Sequence, residues 1–244
     1  MSLPASRAAL QPDATRERAA RAGGRLVLAL LGTLAIALVA VPLAVLVRTR
    51  YAPLVELDLD VSRAAEDAAA GSPLLLRTAQ VVTLLGDPVL VTLAAAVLAA
   101  VLWRRGSVRL ALYVVAARAG ALVLSQGLKH LVDRTRPEFE VPVATALGPS
   151  FPSGHALGSA VFWTTTAVLL VPHVRRARPL LLGAVALAGL VAASRVVLGV
   201  HYLTDVTGGL LLGLGWAAVC TAVFVVERSE RGRPVEVERD GIGP

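Results

Sequence analysis

Cysteine is almost absent from this chain: one residue in 244, Cys220, inside an apolar run. A single thiol forms no intramolecular disulfide, so its role is packing and it says nothing of redox compartment. Aromatic residues are only 4% of the chain, and there is one lysine, Lys129, against 23 arginines. No stretch repeats with a period of 20 to 50 residues, which excludes a solenoid. The acids nearest the polar cluster described below, Asp133, Glu138 and Glu140, form no recognisable metal-ligand cluster, which is consistent with a site that needs neither a metal nor a cofactor.

Apolar residues, by contrast, make up 56% of the chain, with a mean hydropathy of +0.70. That composition belongs to a membrane protein. A hydrocarbon layer of ~30 Å requires about 20 apolar residues per helix. Six such runs are present, at 26–47, 81–102, 108–128, 156–172, 180–198 and 204–226. The first is too long for the apolar region of a signal peptide and reads as an uncleaved span. The expected fold is all-α, an integral-membrane bundle of six transmembrane helices over residues 26–226. Residues 1–25 and 227–244 are expected to be cytoplasmic tails.

The net charge of +7 and the pI of 10.8 raise the question of a nucleic-acid partner. The positions of the charges answer it. Fifteen basic residues fall in segments 1–25, 103–109, 173–179 and 227–244, on one side of the six-span arrangement, and eight on the other. The positive-inside rule makes the richer side cytoplasmic. The basic balance is therefore topology: a multi-pass protein of the cell (cytoplasmic) membrane, both termini inside, with membrane lipids and no nucleic acid as partners. Nothing in the sequence bears on oligomeric state.

Most polar residues have a structural explanation. The connection after the first span, with an Ala-rich middle ending at Gly71-Ser72-Pro73, reads as a surface helix without chemistry. Gly154 and Gly158, and Gly209 and Gly213, are spaced for close helix packing in lipid. Arg48, Arg50, Arg63, Arg77 and Arg134 read as interfacial anchors, and His130 and His173 as wet-edge residues.

The remainder collects on the external face. The third span ends in "KHLVDRTRP" (129–137), the fourth begins with "PSGH" (152–155), the fifth ends in Ser194-Arg195, and the sixth is entered through "HYLTD" (201–205). Lys129, Arg136 and Arg195 suit a phosphoryl group, since guanidinium forks take two oxygens each and an ammonium acts as a point charge. Ser153 stands at an N-cap, and the free N–H groups of Gly154 and His155 follow it. His201 and Asp205 are one turn apart, so the carboxylate can orient one ring nitrogen and leave the other as nucleophile. His155, on another helix, is then free to protonate a leaving oxygen. Arg118 lies mid-span on the face of Ser125 and Lys129. A charge at that depth must turn inward, toward Thr166 or another polar group, in a role expected to be structural.

Together these residues read KxxxxxxRP (Lys129, Arg136, Pro137), PSGH (Pro152 to His155) and SRxxxxxHxxxD (Ser194, Arg195, His201, Asp205). This resembles the three-part signature of the type 2 phosphatidic acid phosphatase family, with no departure at any signature position. The resemblance implies a lipid phosphatase that needs no metal. It implies that His201 attacks phosphorus to give a phosphohistidine, that Asp205 orients it and that His155 protonates the leaving group. Lys129, Arg136, Ser153, Gly154 and Arg195 would hold the phosphoryl oxygens. Undecaprenyl diphosphate, phosphatidic acid and phosphatidylglycerophosphate are the candidate substrates. The alternatives are a phosphotransferase using the same phosphohistidine, and a non-enzymatic lipid- or anion-binding membrane protein.

Overall fold

The computed structural model describes residues 11–137 and 146–224. Residues 1–10 and 227–244 of the expected tails, and Glu138 and Glu140, lie outside the described residues. The protein is all-α: α1 (Gln11–Arg48), α2 (Ala52–Gly71), α3 (Pro73–Leu84), α4 (Pro88–Arg104), α5 (Val108–Val132), α6 (Gly154–Leu170), α7 (Ala177–Val197) and α8 (Leu203–Phe224). Among the described residues, six segments are long and apolar enough to cross a membrane: Leu30–Arg48, Pro73–Arg104, Val108–Val132, Gly154–His173, Ala177–Val197 and Leu203–Phe224. Residues 11–25, expected as tail, continue α1.

The second span departs from its expected start at residue 81. It begins at Pro73 and breaks between α3 and α4 at Leu85-Gly86-Asp87. The cause is local. Asp87 is the N-cap of α4, its Oδ1 accepting from the N–H groups of Val89 (2.9 Å) and Leu90 (3.0 Å), and Pro88 at the first helical position has no N–H to leave unpaired. The break lies against α6: a Cβ on Gly86 would overlap Val191 Cγ1 and stand 3.2 Å from the carbonyl oxygen of His155.

In lipid, apolar side chains gain little from leaving the solvent, so the bundle is held by close packing. A Cβ on Gly209 would come 2.7 Å from Ser153 O, and one on Gly213 2.6 Å from Leu157 O. Glycine at both positions lets α8 lie against α6. Leu157, Val161, Leu212 and Cys220 join Tyr113, Ala117 and Ala121 of α5 in the main core, and Trp216 Nε1 donates to Ala117 O at 2.9 Å. Leu30, Leu34, Leu38, Val41 and Val45 of α1 are all more than half exposed, a lipid-facing stripe.

Arg118 is buried and turned to polar partners as expected, and these are Thr92 and Pro88 rather than Thr166. Its Nε and Nη2 donate to Thr92 Oγ1 at 2.9 and 2.7 Å, and Nη2 also to Pro88 O at 2.9 Å. Thr166 Oγ1 makes no hydrogen bond among the described residues. The break that starts α4 brings Pro88 and Thr92 within reach of α5.

Candidate active site

One end of the bundle gathers the C-termini of α5 and α7 and the N-termini of α6 and α8. Ser153 caps α6, its Oγ accepting from Ala156 N at 3.5 Å, and its own N–H donates to Asp205 O at 3.0 Å. That bond seats the PSGH segment on the first turn of α8. Between α7 and α8 the chain turns at Gly199, whose φ of +66° few other residues adopt, and His201 is delivered inward.

His201 is 3% exposed and Asp205 fully buried. Their nearest atoms, Nδ1 and Oδ2, are 3.6 Å apart, a direct but long contact. Ser150 fills the gap. Its Oγ donates to Asp205 Oδ2 at 2.5 Å and lies 3.3 Å from His201 Nδ1. A hydroxyl has one hydrogen, and here the carboxylate takes it, so Ser150 can only accept from the ring. Nδ1 therefore carries the proton and Nε2 the lone pair, with Arg136 Nη1 3.1 Å away. Burial pushes the imidazole down to about 4, against the upward pull of Asp205, and His201 is neutral at pH 7.

Arg134 is not the interfacial anchor expected. Its side chain is 13% exposed and bridges two buried carboxylates, Asp58 Oδ2 at 2.6 Å and Asp205 Oδ1 at 2.8 Å. It also donates to Thr204 Oγ1 at 2.7 Å and lies over the Tyr202 ring, 4.1 Å from its centroid. Burial opposes the guanidinium charge, but Asp205 and Asp58 outweigh it and raise its proton affinity. Asp58 comes from α2, and its Oδ1 accepts from Thr204 N at 2.9 Å. The helix expected to carry no chemistry thus braces the first turn of α8. Asp133, left-handed at φ +47°, ends α5 and turns Arg134 inward.

The cations surround a cavity of about 230 Å³ lined by Lys129, Arg136, Gly154, His155, Arg195 and His201 among others. Backbone carbonyls hold them in place: Lys129 Nζ on Pro149 O (2.5 Å), Arg136 Nε on Gly148 O (2.9 Å) and Arg136 Nη1 on Val200 O (2.7 Å). Arg195 Nη1 donates to Thr83 Oγ1 at 2.8 Å, while its Nε has no partner among the described residues. Burial lowers the proton affinity of Arg136. The structure brings together all eight residues singled out in the sequence, six on the cavity wall and Ser153 and Asp205 fully buried behind it.

Sequence reasoning missed Ser150, Asp58, Arg134 and Asp87. Asp87 Oδ2 stands 4.0 Å from His155 Nε2, putting a carboxylate beside the second histidine. Its signal was legible: Gly-Asp-Pro within an apolar run is a helix stop and start.

Residues 109–229 match the model of the PAP2 superfamily. The chain is 40% identical over 96 residues to phosphatidylglycerophosphatase B of Bacillus subtilis, covering 38% of this chain and 47% of that protein. It is 38% identical over 113 residues to decaprenylphosphoryl-5-phosphoribose phosphatase of Mycobacterium tuberculosis (44% and 59%), and 34% identical over 110 residues to lipid A 1-phosphatase of Rhizobium etli (41% and 44%). The chain spans about half the length of these relatives. Among solved structures, a transmembrane PAP2-type phosphatidylglycerolphosphate phosphatase from Bacillus subtilis matches with a TM-score of 0.67 and 26% identity, over 83% of this chain and 98% of that one. The matched segment holds every residue on the cavity wall except Pro88, and the chain belongs to the PAP2 superfamily.

Proposed function

We propose that the protein is an integral-membrane phosphatase that hydrolyses lipid phosphate or diphosphate monoesters through a phosphohistidine. The observation that carries this reading is the lone pair of His201 Nε2, held by the Ser150–Asp205 relay, facing a cavity walled by Lys129, Arg136 and Arg195. Those cations and the N–H groups at the start of α6 take the phosphoryl oxygens, and phosphoryl transfer asks mainly for such positioning and charge neutralisation. His201 Nε2 bonds to phosphorus as the ester P–O bond breaks. The leaving oxygen takes the electron pair and a proton from His155, beside which Asp87 Oδ2 stands at 4.0 Å. Water then attacks phosphorus, His155 accepts its proton, and phosphate and free His201 result.

The lipid class is supported by the relatives, whose names specify a phosphatidylglycerophosphate, a decaprenylphosphoryl sugar phosphate and lipid A, and by the site's place at the helix ends, where an amphipathic substrate arrives laterally. The arginine distribution supports an orientation with that end outside the cytoplasmic membrane and both termini inside. The test is phosphate release by purified protein in detergent with excess EDTA, on undecaprenyl diphosphate, phosphatidylglycerophosphate and phosphatidic acid. The wild type is expected to release phosphate and His201→Ala to release none. Release that needs a divalent metal, or that survives in His201→Ala, overturns the mechanism.

A further inference from the structure

The cavity does not end at the phosphoryl site. It continues along α5, past Ser125 to Arg118. Eleven residues separate Lys129 from Arg118, about 16 Å of helix, and the direction is toward the middle of the membrane, where the lipid part of any substrate must lie. On α6, Gly158 lies one turn below His155, next to Leu157 of the cavity wall. A Cβ on Gly158 would stand 3.1 Å from Arg118 Nη1. Arg118 is thus about one turn deeper than the histidine assigned to the leaving oxygen.

The guanidinium is only partly used. Arginine has five N–H donors. Nε and both hydrogens of Nη2 are engaged by Thr92 Oγ1 and Pro88 O. The Thr92 hydroxyl gives its own hydrogen to Pro88 O at 2.5 Å, so it meets Arg118 as an acceptor and locks the plane of the fork. The two Nη1 hydrogens have no acceptor among the described residues, and Arg118 has no carboxylate at ion-pair distance there. The residue is 7% exposed. A buried cation held rigidly, open on one edge and without a counter-charge, is costly unless an anion joins it.

We infer that Arg118 forms a second anion subsite on the leaving-group side of the cavity, selecting lipids whose leaving group itself carries a phosphoryl group. This rests on the phosphatase reading above. When the bond from the attacked phosphorus to the leaving oxygen breaks, the electron pair goes to that oxygen. In a lipid diphosphate the oxygen belongs to a second phosphate, which remains on the lipid within reach of Nη1. In phosphatidylglycerophosphate the second anion is a phosphodiester one glycerol away. Phosphatidic acid leaves a neutral diacylglycerol and offers Arg118 nothing.

The test compares kcat/KM on undecaprenyl diphosphate, phosphatidylglycerophosphate and phosphatidic acid for the wild type, Arg118→Gln and Gly158→Ala. The glutamine keeps hydrogen bonds to α4 without the charge, and the alanine methyl displaces Nη1 while keeping it. Charge-assisted hydrogen bonds of this kind are expected to give Arg118→Gln at least a ~10-fold greater loss on a two-phosphate lipid than on phosphatidic acid, and Gly158→Ala a smaller loss of the same sign. Loss on the diphosphate alone assigns the subsite to an adjacent phosphate, and loss on both assigns it to either spacing. Equal losses on all three lipids, or a wild type that prefers phosphatidic acid, overturn the inference and leave the phosphatase reading intact. Calorimetry with inorganic pyrophosphate and phosphate tests the subsite without turnover. Tighter wild-type binding of pyrophosphate that Arg118→Gln abolishes supports it even if no lipid is hydrolysed, and equal binding of the two anions refutes it.

Discussion

Replacing Arg134 by glutamine tests whether the site is braced from behind. Asp58 and Asp205 are 1% and 0% exposed, and the arginine between them 13%. Removing one partner of a buried ion pair costs ~3–5 kcal/mol, because the other charge is left uncompensated. Here each carboxylate keeps other donors, Thr204 N and Oγ1 for Asp58 and Ser150 Oγ and Tyr202 N for Asp205. The lower end, ~3 kcal/mol, therefore applies, which corresponds to a Tm lower by about 6–12 °C. Catalysis suffers separately. In a related triad, loss of the orienting carboxylate lowers kcat about 10⁴-fold. Arg134 holds that carboxylate rather than the histidine, so a fall of ~10–100-fold is expected. Arg134 does not line the cavity, so KM changes little. The assays are thermal unfolding in detergent and phosphate release over a range of substrate concentrations. Asp58→Asn removes one of the two stranded charges, so the double variant is expected to be less damaged than the sum of the single ones. A Tm within 1 °C of wild type with unchanged kcat, or a rise in KM alone, refutes the reasoning and returns Arg134 to the interface.

The acid limb of kcat/KM, corrected for the fraction of substrate dianion, is expected near pH 4, because His201 must be unprotonated to attack and its burial holds it down to about 4. A limb near the ordinary histidine value of about 6.5 refutes that. Asp87→Asn removes the carboxylate 4.0 Å from His155 Nε2 and is expected to lower kcat ~10-fold on phosphatidic acid but little on an aryl phosphate, whose leaving oxygen needs no proton; equal loss on both would assign Asp87 to capping α4 alone. Gly213→Ala, with its Cβ 2.6 Å from Leu157 O, is expected to destabilise by ~1–3 kcal/mol in thermal unfolding. Gly189→Ala, with nothing within 4 Å, is expected to be neutral or mildly stabilising.

The fold and the front of the site were legible because both are written in local spacing. Runs of about 20 apolar residues are spans wherever they occur, and a histidine and aspartate one turn apart meet whatever surrounds them. The back of the site is not local. Arg134 and Asp58 are 76 positions apart, and an interfacial arginine has the same sequence signature whether it snorkels to water or folds onto a carboxylate. What decides is burial of the partner, and Asp58 sits in a segment whose Ala-rich, charged composition describes a solvated helix equally well. The direct His201–Asp205 contact expected from the spacing is present but long, at 3.6 Å, for a related reason. His201 precedes α8 rather than belonging to it, so the i, i+4 geometry of a helix face does not apply and Ser150 spans the difference. The α3–α4 break was legible as Gly-Asp-Pro but was outweighed by the apolar run around it. That break aims Asp87 at His155 and Pro88 O at Arg118, so one interruption in a span organises both the acid and the deep end of the cavity.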